Sequence, residues 1–292
     1  MTITASLTET PLRARRTRFD LSETPLHWVP DDPLATHVMN VLHIMLPPGE
    51  RWFCDVYREA LPLVTDEKLR ADMKGFMGQE ATHARAHEAG REYLSRYGID
   101  TDRTMAQAEW ARRNLGSATP FGRTLPKPLR KTWLITRLSV IAAVEHFTAV
   151  LGDWILNEST ALDAAGVDAA MMDLLRWHGA EEVEHRSVAF DVYQHVSGNY
   201  VRRLISMSAI AVVLTLGFII GTAQLLSADQ TTKRRFSLHE FRRAGRRGHI
   251  PTFTFALRAI PTYLRRDYHP SQEGSTEAAI AYLNASPGVV AR

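Results

Sequence analysis

A single cysteine, Cys54, is present in the 292-residue chain. No internal disulfide and no thiolate metal cage can form from it, so any metal chemistry must come from His, Glu and Asp. Alternating Val/Ile/Thr runs bounded by tight turns are missing, which argues against a sheet-based fold. No Gly-x-Ser-x-Gly elbow occurs, so a serine-nucleophile hydrolase is set aside. No nicotinamide or flavin fingerprint is found either. A large net charge is absent: 35 Lys and Arg against 32 Asp and Glu leave +3, and no global field points to nucleic acid.

The charge that is present is unevenly placed. From Lys233 to Tyr268 ten Lys or Arg stand against Glu240 and Asp267, a local net of +8, so the remainder sums to −5 (3 minus 8). Such a tail resembles juxtamembrane segments that meet anionic lipid. Arg13, Arg15, Arg16 and Arg18 make the N-terminus basic, but no apolar run follows them that would form a signal peptide. Residues 1–30 therefore read as a flexible arm, and the cytoplasm as the expected compartment, with association at the cytoplasmic membrane through the tail.

Amphipathic stretches of period 3.6 dominate the chain. Pro47-Pro48-Gly49 leads into a first helix, about Glu50 to Leu61, ended by Pro62. Thr65-Asp66-Glu67 starts a second, which runs to about Tyr97 and stops at Gly98. A long connection over 98–128 precedes a third helix, Leu129 to Asn157, and a fourth, Asp168 to His195. Two hairpins joined by one long crossover is the connectivity of a ferritin-like four-helix bundle. Leu204 to Leu226 then runs 23 residues without a charge, flanked by Arg202-Arg203 and Lys233-Arg234-Arg235. By length it could cross a bilayer or form a buried fifth helix, and Gly217-x-x-x-Gly221 adds a close-packing pattern. The expected organisation is all-α: an arm at 1–30, a metal-binding bundle at 31–200, an apolar helix at 201–228 and a basic helical extension at 229–292.

Two Glu-x-x-His motifs stand on two of these helices, Glu80-Ala-Thr-His83 and Glu182-Val-Glu-His185. Residues three apart share a helix face, so each motif presents a carboxylate beside an imidazole. Two such pairs plus one Glu from each of two other helices form the ligand set of dinuclear carboxylate bundles. Glu80 lies about 15 residues after the turn near residue 65, which places it level with Glu50, about 15 before. Glu59, nine residues on, is turned by about 900° and faces the other way. Reflecting Glu182 through the turn near 163–166 reaches Glu145, which interrupts the apolar run Leu138 to Val144. An unpaired carboxylate there would be costly, with Arg137 as its alternative partner.

His87 and His178 fall one turn from these motifs, as extra ligands, outer donors or proton shuttles. Glu181 competes with Glu182 for the ligand role. His146 points about 100° away from Glu145 and reads as a core histidine. Asp191 and Tyr193 are candidate outer partners, and Cys54 a soft neighbour of Glu50 rather than a ligand.

The strings Pro-Pro-Gly-Glu50-Arg-Trp-Phe, Phe-Met-Gly-Gln-Glu80-Ala-Thr-His83-Ala-Arg-Ala-His87, Val-Glu145-His146-Phe-Thr-Ala and Trp-His178-Gly-Ala-Glu181-Glu182-Val-Glu-His185 resemble the bacterial family named predicted metal-dependent hydrolase, over about residues 30–265. The resemblance implies a ferritin-like fold and a metal constellation at Glu50, Glu80, His83, Glu145, Glu182 and His185.

Oxygen donors with one imidazole per ion suit two iron ions first, with manganese or zinc as alternatives. The leading expectation is an oxygen-dependent di-iron oxidoreductase acting on a small or apolar substrate, with electrons from a separate reductase. The alternative is a metal-dependent hydrolase that activates water, and the second alternative a non-catalytic metal-binding protein. A homodimer and lipid contact through 201–268 complete the expected partners, and nucleic acid is excluded from them.

Overall fold

The computed structural model describes residues 12–290, and within them the chain is all-helical apart from an isolated antiparallel bridge between Thr17 and Val289. Twelve α-helices can be followed among these residues: α1 Pro33–Asn40, α2 Leu42–Ala60, α3 Glu67–Arg96, α4 Asp102–Ala111, α5 Lys127–Asn157, α6 Thr160–Ala164, α7 Ala169–His185, α8 Val188–Val196, α9 Tyr200–Ala228, α10 Leu238–Arg246, α11 Phe253–Leu264 and α12 Thr276–Ala285.

The starts are set by short polar side chains. Asp66 caps α3 by accepting from the Leu69 amide, Asp168 caps α7 through Met171, and Asn199 caps α9 through Arg202. Gly98, at φ 71°, closes α3 in the left-handed conformation that glycine adopts most easily.

Two boundaries depart from the sequence reading. The first long helix begins eight residues before Glu50, and Pro47 and Pro48 lie inside it. Their missing N–H groups leave the carbonyls of His43 and Ile44 without intrahelical donors. The helix persists because Ile44, Pro47, Pro48, Phe53 and Tyr57 are all buried along its length. The expected fourth helix is divided at Arg186 and Ser187 into α7 and α8. Arg186 turns its guanidinium to the carbonyls of Val183 and Pro270 and the hydroxyl of Thr276.

The α2–α3 and α5–α7 hairpins pack against one another, α2 touching α5 and α3 touching α7. The second hairpin closes through two glycines. A Cβ on Gly179 would lie 2.6 Å from Ile155 Cγ2 and 2.9 Å from Gly152 Cα. Gly179→Ala should therefore push α7 off α5 at an overpacking cost of about 1–3 kcal/mol, readable by chemical denaturation. An unchanged midpoint would mean that the crossing does not need the glycine.

Residues 12–30 are no loose arm. Trp28 and Val29 are fully buried, and the segment passes so close to α3 that a Cβ on Gly75 would sit 2.3 Å from the Leu12 carbonyl oxygen. The part of the expected arm at 1–11 lies outside the described residues. At the other end, α12 packs on α7, so the C-terminal extension is partly built into the core.

Candidate metal centre

Four helices, α2, α3, α5 and α7, deliver their carboxylates to one place. Glu50 comes from α2, Glu80 and His83 from α3, Glu145 from α5, and Glu182 and His185 from α7, each at most 3% exposed. His185 Nε2 lies 3.3 Å from Glu80 Oε1, from Glu145 Oε2 and from Glu182 Oε2. His83 Nδ1 lies 3.5 Å from Glu182 Oε1 and 3.7 Å from Glu80 Oε1. His178 Nε2 is 2.7 Å from Glu182 Oε1 and 3.9 Å from Glu50 Oε1.

Two neighbouring ligand clusters result. Ligand atoms of Glu50, His83 and His178 lie within 4.8 Å of one another, and so do those of Glu80, Glu145 and His185. Glu80, His83 and Glu182 form a third group of the same span that joins them.

These residues fit divalent ions on the state of their own atoms. Both carboxylate oxygens of Glu50, Glu80 and Glu145, and Nδ1 of His83, are buried with no hydrogen-bond partner. Each such atom left unpaired costs about 1–3 kcal/mol, more where it is charged. Among the described residues no Lys or Arg pairs with these three glutamates, and imidazoles are their only positive neighbours, so four buried carboxylates outnumber the charge that faces them and bound cations would balance it. Arg137, the alternative partner for Glu145, instead pairs with Glu59 at 2.7 Å. Oxygen-rich donors with imidazole suit borderline divalent ions.

The electrostatics agree. Burial, reinforced by the neighbouring carboxylates, pushes Glu50 and Glu80 well above the usual carboxylate range and Glu145 up to about 7. Glu182 goes the other way: burial would raise it, but the charge of His185 and hydrogen bonds from His178 and His185 hold it well below. His185 is held up to about 10, because the charges of Glu182 and Glu145 and the hydrogen bond to Glu182 outweigh burial. His83 is driven down to about 4 by burial and by the charge of His178. A raised carboxylate holds its proton more tightly folded than unfolded. Its stabilising contribution is complete below the ordinary value of 4.5 and disappears as pH rises through about 7 for Glu145. The chelator-treated chain should accordingly melt lower at about pH 8 than at about pH 6, and added divalent ion should reverse the fall. A melting temperature that rises with pH in chelator would contradict this.

An outer layer fixes both imidazoles. His83 Nε2–H donates to Glu181 Oε2 at 2.9 Å, which leaves Nδ1 as the inward donor. His185 Nδ1–H donates to Gln79 Oε1 at 3.1 Å and leaves Nε2 inward. Gln79 Nε2 donates to Glu184 at 2.6 Å, and Arg15 spans Glu181 at 2.8 Å and Glu184 at 2.7 Å. Glu181 is therefore an orienting carboxylate behind His83, and Glu182 is the one that faces the centre.

His178 joins the ligand side, whereas His87 does not reach it. His87 lies between His178 and His43, hydrogen-bonded to both, with the His43 contact at 2.8 Å. Burial drives His43 down to about 3 and His87 well below its ordinary value, so both are neutral.

Several residues stand apart. His146 is tied to Tyr268 at 2.8 Å and to the Ala259 carbonyl at 2.9 Å, in keeping with a core role. Asp191 pairs with His269 and Tyr193 donates to the Asn199 carbonyl, so neither supports the centre. Cys54 donates to the Met77 carbonyl, its thiol pushed up to about 11 by burial. A separate cluster, His27 and His37 against Asp229 Oδ2 at 2.7 and 3.0 Å, is accounted for by its own hydrogen bonds.

Five residues near the centre are not assigned to it by the sequence: Arg15, His43, Tyr57, Gln79 and Glu184. His43 and Tyr57 lie seven residues either side of Glu50, two helical turns away on its face. Reading Pro47-Pro48 as a helix start hides that signal. A narrow cleft, open to solvent, lies between α2, α5 and α7, walled by Leu42, Leu46, Leu151 and Leu175, with His178 and Glu182 among its lining.

A family model described as predicted metal-dependent hydrolase matches residues 13–274. No curated protein and no solved structure matches the chain. The family match overturns the expectation of an oxygen-dependent di-iron oxidoreductase, since the chemistry it points to is metal-dependent hydrolysis.

Proposed function

The chain belongs to the predicted metal-dependent hydrolase family, and from that premise we propose that it hydrolyses a small substrate with an apolar arm at a dinuclear centre. Glu50, His83 and His178 would hold one ion and Glu145 and His185 the other, with Glu80 and Glu182 available to either. The observation that carries this reading is the convergence of six buried, unpartnered carboxylate oxygens from Glu50, Glu80 and Glu145. Four carboxylates and three imidazoles for two ions favour Fe(II) or Mn(II) over Zn(II). The pairing of α2 with α3 and of α5 with α7, across the long connection at 97–126, supports a ferritin-like arrangement.

When bound, divalent ions supply Lewis-acid polarisation of the scissile group and lower the pKa of water. The protein's own part is positional. Leu42, Leu46, Leu151 and Leu175 exclude bulk water and receive the aliphatic or aromatic part of the substrate. Glu182 lines the cleft beside His178, so its carboxylate is the group placed to take a proton from the attacking water. The outer layer through Arg15, Glu181, Gln79 and Glu184 keeps His83 and His185 in the tautomers this requires.

The test is a panel of chromogenic esters and amides with short and long acyl chains, assayed with Mn(II), Fe(II) or Zn(II) and with chelator. Turnover that needs metal and rises with acyl length agrees with the proposal. Metal-loaded protein inert towards the whole panel would count against hydrolysis at this cleft.

A further inference from the structure

Two helices are long and apolar enough to cross a bilayer, and they differ in one respect. The apolar window of Lys127–Asn157 is 56% buried, as a core helix requires, whereas that of Tyr200–Ala228, at mean hydropathy 2.4, is only 22% buried. On α9, Ile205, Val212, Val213, Leu216, Ile219 and Ile220 are all between 39% and 64% exposed. Offsets of 7, 8, 11, 14 and 15 from Ile205 keep them on one face along the helix. An uncovered apolar stripe of this length is uncommon on a soluble monomer and marks an interaction surface.

The other face of α9 is already committed. Arg203, Met207, Ile210, Leu225 and Leu226 are buried, and the helix packs on α1, α5 and α11. The small-residue pair serves the interior. A Cβ on Gly217 would lie 2.8 Å from Met45 Cε, and one on Gly221 would lie 3.0 Å from Val41 Cγ2. Gly217 and Gly221 thus seat α9 on its own chain and do not join it to a neighbour. A helix fastened along its flank cannot pass end-on through a membrane without leaving the core.

Charge indicates what covers the free face. Arg202 and Arg266 stand near the N-terminal end of α9, the Arg266 guanidinium 4.3 Å over the Tyr200 ring. Lys233 and Arg235 follow its C-terminal end, and none of these four makes an ion pair among the described residues. Cations at both ends of an apolar stripe fit a helix lying in the plane of an anionic surface, where both ends meet headgroups.

We propose that α9 docks lengthwise on an anionic lipid bilayer, with the Ile205–Ile220 face among the acyl chains and Arg202, Lys233, Arg235 and Arg266 at the headgroups. α11, packed beside α9, adds exposed Phe253 and Leu257. Met45, which seats Gly217, lies on α2 between Leu42 and Leu46, two walls of the cleft. α9 therefore backs through its buried face onto the α2 segment that walls the cleft, while its exposed face is turned away from it.

The experiment is flotation of the full chain with vesicles of phosphatidylcholine and phosphatidylglycerol in roughly 2:1 ratio, and with phosphatidylcholine alone, at low and high salt. The chain should rise with the anionic vesicles and less so with the neutral ones or at high salt. Val212→Asp with Leu216→Asp, both at exposed positions, should keep circular dichroism and metal content and lose binding by about tenfold or more. Retained vesicle binding by that variant would overturn the proposal. So would a wild-type chain that ignores both vesicles, whether it is monomeric by light scattering or a dimer that the double aspartate variant splits.

Discussion

Glu145→Gln should reduce the metal content from two ions per chain to one or none and lower metal-dependent turnover by more than about 100-fold, beyond what outer-layer changes usually cost. Glu145 sits in the middle of α5 with neither oxygen hydrogen-bonded, Oε2 standing 3.3 Å from His185 Nε2. An amide keeps the volume and removes the charge that an ion needs. The same change should stabilise the metal-free protein at about pH 8, because burial and the charge of Glu182 make that carboxylate expensive to ionise. A ligand role requires the two effects to oppose each other. If the Glu145→Gln protein kept the full metal count, or its metal-free form lost stability, Glu145 would belong to the packing and not to the site.

Arg15→Ala should weaken metal binding by about 10–100-fold, the usual effect of removing an outer-layer partner. Arg15 touches none of the residues that face the centre, yet it bonds both Glu181, behind His83, and Glu184, behind Gln79 and His185. Glu181 is held below the usual carboxylate range, against burial, by His83 and Arg15. Without the guanidinium, two largely buried carboxylates lose their cation and neither imidazole keeps a fixed orientation. Arg15→Lys restores one point of charge without the fork, so it should fall between the two. Competition against a graded series of chelators measures the affinity, and recovery of turnover at saturating metal would mark Arg15 as a positioning residue. Affinity unchanged in Arg15→Ala would show that the outer layer does not need the N-terminal segment.

The inner residues are legible because helical spacing is a strong constraint. Two Glu-x-x-His motifs define faces, and reflection through the turns places Glu50 and Glu145 at their level, where the structure brings them together. The choice between Glu181 and Glu182 cannot be read from spacing, since both can approach His185 along the helix. It depends on which imidazole nitrogen is occupied from behind, and that is a tertiary fact. Arg15 gives no signal because a basic, Pro-containing N-terminal segment has no periodicity, and its order comes from lying against α3 at Gly75. His43 is lost to a local rule: two prolines favour a helix start, but burial of Ile44, Pro47 and Pro48 carries α2 through them. The oxidoreductase expectation rests on donor chemistry and on an apolar helix near the site, and carboxylate-and-imidazole sites serve hydrolysis as well as oxidation. Composition leaves the apolar helix between crossing and burial, and its exposed face beside a packed one becomes visible only in three dimensions.

The most direct measurement of the central claim is the number of divalent ions bound per chain after chelation and reloading, by plasma mass spectrometry, in wild type and in Glu50→Gln with Glu80→Gln. Two ions in the wild type, and fewer than one in the double variant with helix content unchanged, is the result this account predicts. A wild-type chain that stays folded and binds no divalent ion with its carboxylates deprotonated would contradict it.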